Sequence, residues 1–60
     1  MTVKELAGVL DGSTILYIQN EYGMLDKKCA FFADKSDYAD KEVALVKVSQ
    51  VGFLYVWIKE

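Results

Sequence analysis

The chain predicts an α+β domain, with one short N-terminal helix packed on a four-stranded, mainly antiparallel sheet made of two β-hairpins. Three observations predict it. Apolar residues recur at helical spacing near the start, at Val3, Leu6, Ala7 and Leu10. Later stretches are rich in β-branched and aromatic residues, which suit a pleated, half-buried surface. Turn-forming residues, Asn20 to Gly23 and Ser49 to Gly52, lie between stretches that would pair.

The helix should run from Thr2 to Leu10. Thr2 and Glu5 have capping-box spacing, in which the hydroxyl accepts from a free amide of the first turn and the carboxylate reaches back. Gly12, just after Asp11, is placed to take the left-handed conformation that ends a helix. A helix this short is marginal alone, so its apolar stripe must be held by tertiary contacts.

After the break at Gly12 and Ser13, Thr14 to Gln19 reads as the first strand, and Gly23 can supply the positive φ its hairpin loop needs. The second strand is expected over Lys27 to Ala33, with Cys29, Phe31 and Ala33 on one face and Lys28, Ala30 and Phe32 on the other. The strongly polar stretch Asp34 to Glu42 is the long loop, with room for one helical turn. A third strand, Glu42 to Val48, turns through Ser49 to Gly52 into the last, Phe53 to Ile58.

With 60 residues the chain has room for one domain, residues 1–60, and such a domain buries only roughly 60% of the surface its unfolded chain exposes. Small scaffolds usually add a staple. A single Cys29 allows no internal disulfide, and one Cys with no His leaves no zinc set, so association is the staple that remains. No cofactor is expected. Seven lysines, no arginine and nine carboxylates give a net charge of −2, which disfavours a protein living on phosphate backbones. The opening residues show no basic-then-apolar signal pattern, and no apolar stretch approaches the roughly 20 residues that cross a bilayer. The expected location is cytoplasmic, with no membrane partner.

The last strand carries the sharpest functional hint. Leu54, Val56 and Ile58 line one face and Phe53, Tyr55 and Trp57 the other, so both faces are apolar. A helix of about nine residues is only about 14 Å long and cannot cover both. The leftover face would gather Tyr17, Phe53, Tyr55 and Trp57 with a row of the second strand. If the rings are not core, they form a binding surface, because Tyr and Trp dominate interaction hot spots and contiguous exposed apolar area marks association. A small closed β-barrel is the rival architecture, which would hide one face inside itself.

Other residues are weaker candidates. Asp34, Asp37 and Asp40 lack the alternate-position ligands and bend glycine of a calcium loop; they read as a solvated loop or as an acidic contact beside the aromatic patch. Cys29 has no activating base and is expected to be buried as a small apolar group. No paired carboxylates or nucleophile–base set specifies a small-molecule substrate, so the chain reads as no enzyme.

The Val3-Lys4-Glu5-Leu6 start, the polar break, the Ile15-Leu16-Tyr17-Ile18 strand and the ending from Val43 to Ile58 resemble short uncharacterised α+β proteins of phages and prophages of Gram-positive bacteria. The resemblance spans most of the chain. It implies an accessory protein that acts by binding a host or phage protein, including anti-defence or anti-CRISPR inhibition; the uncovered aromatic face by itself also allows a homodimer. No residue is carried over from the resemblance; strand alternation and the acidic stretch nominate Tyr17, Phe53, Tyr55 and Trp57, with Asp34, Asp37 and Asp40, as the partner-binding residues. The alternative is a single-stranded nucleic-acid-binding protein stacking bases on the same rings.

Overall fold

In a computed structural model describing residues 1–59, α1 (Val3–Gly8) begins where the capping pattern places it. Thr2 Oγ1 accepts from the Glu5 amide at 3.2 Å, and a Glu5 carboxylate oxygen accepts from the Thr2 amide at 2.9 Å. The amides of Val3 and Lys4 donate to the carbonyls of Lys41 and Ala39, at 3.0 and 2.9 Å. The first turn of α1 is thus fully satisfied, half by its own cap and half by the 34–42 segment. At its other end, the Val9 and Leu10 amides turn back to Leu6 and Ala7. Gly12 has no positive φ; the break is instead an Asp11–Ser13 side-chain turn, with the Ser13 amide donating to Asp11 Oδ1 at 2.9 Å.

Strands β1 (Ile15–Asn20) and β2 (Gly23–Cys29) form the first hairpin, and β3 (Val43–Gln50) and β4 (Phe53–Ile58) the second. Gly23 and Gly52 are the two glycines with positive φ, at 131° and 82°, each beside its hairpin turn. Asn20 Oδ1 accepts from the Tyr22 amide at 2.8 Å and tightens the first turn.

The second strand differs from the expectation. It starts directly after the turn and stops at Cys29, and Ala30–Ala33 form a second short helix, α2. The Ala30 and Phe31 amides donate to the carbonyls of Thr14 and Gly12, which pulls the chain out of the sheet. Ala30 and Ala33, three apart on one helical face, are buried, while Phe31 and Phe32 point outward at 66% and 51% exposure.

The strand order is β2-β1-β4-β3. The hairpins are antiparallel within themselves, but they meet along a parallel β1–β4 pair, so the sheet is mixed rather than mainly antiparallel. The two strands that are apolar on both faces take the centre, where neighbours cover both flanks of each backbone. The sheet does not close into a barrel: β2 and β3 remain as edges.

Register decides which row is inside. Leu16 pairs with Leu54 and Ile18 with Val56, so these residues and Ile58 share one face. On it lie Val3, Leu6 and Ala7 of α1 and Ala30 and Ala33 of α2, forming one buried cluster. Register shifts at Ala44 and Leu25 re-aim neighbouring side chains, and Val43 and Leu25 pack against that core.

Candidate interaction face

The rings occupy the other face. Pairing of Ile15 with Phe53, Tyr17 with Tyr55 and Gln19 with Trp57 sets the odd-numbered rows of the two central strands side by side. Tyr17 lies 6.1 Å from Phe53 and 5.5 Å from Tyr55, and Tyr55 lies 6.0 Å from Trp57, ring centre to ring centre. Such spacings are those of interacting aromatic pairs. All four rings are half-buried. The helices and the 34–42 segment bury their residues in the opposite layer, so the rings are covered by one another instead of by a further element.

The outer strands add two lysines. Lys27 on β2 pairs with Tyr17, and Lys47 on β3 pairs with Tyr55. The Lys27 ammonium lies 5.8 Å from the centre of the Tyr17 ring, and that of Lys47 lies 5.9 Å from the centre of Trp57. Both are within cation–π reach. These lysines are remote in sequence, and only strand register could have joined them to the site. Cys29 opposes Ile15 on this face and is half-buried, not enclosed in the core as expected.

The aspartates are not beside the rings. Asp34 follows α2, and Asp37 and Asp40 flank Tyr38 and the buried Ala39, whose backbone caps α1. That places the segment in the helical layer, across the sheet. It is also no loose loop: Ser36 Oγ donates to the Ala33 carbonyl and accepts from the Tyr38 amide. Among the described residues no group of acidic or sulfur side chains gathers as a metal site would require.

Two carboxyls are held below their ordinary values, Glu5 in the α1 cap and Asp11 in the turn that follows the helix. The backbone and side-chain hydrogen bonds of Thr2 hold Glu5 low, and the hydroxyl and amide of Ser13 do the same for Asp11. Neither touches the rings. A shallow groove of about 430 Å³ runs between α1 and α2, lined by Lys4, Ala7, Gly12 and Phe31. No helix of the described residues is long and apolar enough to cross a membrane. No protein-family model, curated protein or solved structure matches this chain.

Proposed function

We propose that this protein is a non-enzymatic protein-interaction module that works through the open face of its sheet. The observation that carries the reading is the row of Tyr17, Phe53, Tyr55 and Trp57, lying on the two central strands with no further layer over it. Rings held on a rigid sheet offer large apolar contact area at little entropic cost on binding, which is how hot spots are built. The resemblance to phage accessory proteins supplies the class of partner: a host protein, with inhibition of a host defence complex such as a CRISPR effector as its narrower form.

The reading is tested by capture from a bacterial lysate with the wild type, Tyr55→Ala and Phe31→Ala. A protein retained by the wild type and by Phe31→Ala but lost by Tyr55→Ala supports it. Loss in Phe31→Ala alone moves the working surface to the helical layer.

A further inference from the structure

We infer that the occupant of the ring-bearing face is an acidic protein surface, and that the face excludes a second copy of this chain; the inference rests on the interaction reading above. Strand register aligns Lys27, Tyr17, Tyr55 and Lys47 in one row across all four strands, a cation at each end and two rings between. Every other residue that register places on this face is uncharged, including the edge-strand residues Cys29 and Met24 of β2 and Leu45 and Gln50 of β3. Asp26 pairs with Ile18 and so lies on the covered side, and the other described carboxylates sit in turns, in α1 or in the segment beside it. In a chain of net charge −2, the working face is therefore a local island of positive charge.

Three candidate occupants respond differently to that island. Two copies stacked face to face about a twofold axis would bring four ammonium groups together with no carboxylate between them, and like-charge juxtaposition opposes such pairing. Single-stranded nucleic acid carries a charge at every nucleotide and needs a run of cations along its path, whereas this face offers two lysines in a chain of net charge −2. A protein surface needs no such run. Its carboxylates can draw the two flexible lysines outward while its apolar side chains settle on the rings they leave.

The test follows Trp57 emission, excited where tyrosine does not absorb, as the protein is titrated with a random glutamate–tyrosine copolymer and separately with oligothymidylate, in about 20 mM salt, where screening is weak. The copolymer is expected to shift the emission, with affinity falling about tenfold or more in the Lys27→Glu/Lys47→Glu double variant. Both lysines are exposed, so this variant keeps the fold, which circular dichroism verifies. Tighter binding of oligothymidylate than of the copolymer overturns the proposal in favour of nucleic acid. A wild-type dimer by light scattering at low salt overturns it in favour of self-association. Copolymer binding that survives the double reversal but is lost in Tyr55→Ala overturns the charge assignment and leaves the interaction face standing. Binding that survives both sets of changes overturns the face itself.

Discussion

The two faces of this sheet are both apolar, yet they are built from different residues and meet different surroundings. The covered face is aliphatic, with Leu16, Ile18 and Val56 at 0% exposure beneath α1 and α2. The open face is aromatic and half-buried, and its rings lie against one another. The roof explains the division. Its buried contributions are Val3, Leu6, Ala7, Ala30 and Ala33, three of them alanine, and they enclose Leu16, Ile18, Val56 and Ile58 in one cluster. A short roof is fully used on one side, and the bulkiest apolar groups are left on the other. In a small domain, where burial is scarce, large rings on the unroofed side are what the proposed interaction role rests on.

Substitutions on the two faces should differ in their effects. Leu16→Ala is expected to have the largest effect, costing about 2–5 kcal/mol and leaving much of the population unfolded at room temperature, as urea denaturation would record. Trp57→Ala on the open face should cost less, about 1–2 kcal/mol, because the ring is only partly removed from water, while under the proposed role it abolishes partner capture. If the two substitutions destabilise equally, the distinction between a covered and an open face fails.

Loosening the roof comes next. Thr2→Ala removes the side chain that caps α1 and should cost about 1 kcal/mol in thermal unfolding, without altering the ring face. The same cap gives a pH signature. Because the folded Glu5 is held below its ordinary value, its stabilisation is present above that value and is lost as pH falls through the lowered folded one. Asp11 acts with the same sign, so unfolding midpoints followed into acid should decline across this range, and less steeply in Glu5→Gln. The smallest effect belongs to Lys47→Ala, within about 0.5 kcal/mol of wild type in denaturant, since the residue is exposed and its ring contact is a surface one. A larger loss would mean that the lysines hold the fold rather than tune the face.

Much of the fold was legible along the chain. The Thr2–Glu5 cap, the two glycine-assisted turns and the alternation in Phe53 to Ile58 are local patterns, and each appears where those patterns place it. The expected strand through Phe31 and Phe32 is helix instead. Four residues of Ala-Phe-Phe-Ala carry no reliable period, and the carbonyls of Gly12 and Thr14, far back in sequence, capture their first amides. The acidic stretch had a role that composition hides, because its backbone rather than its carboxylates completes the start of α1.

The site divides in the same way. Tyr17, Phe53, Tyr55 and Trp57 could be nominated from alternation alone, since a strand sends every second side chain to the same side. What alternation cannot say is which side is roofed, nor that Lys27 and Lys47 join the rings while Asp34, Asp37 and Asp40 stand apart from them. Those facts depend on register between strands distant in sequence and on where two short helices dock. Local sequence set the period, the caps and the turns, because these are decided by neighbours a few bonds away. Long-range pairing decided which apolar row is enclosed and which charges accompany the other.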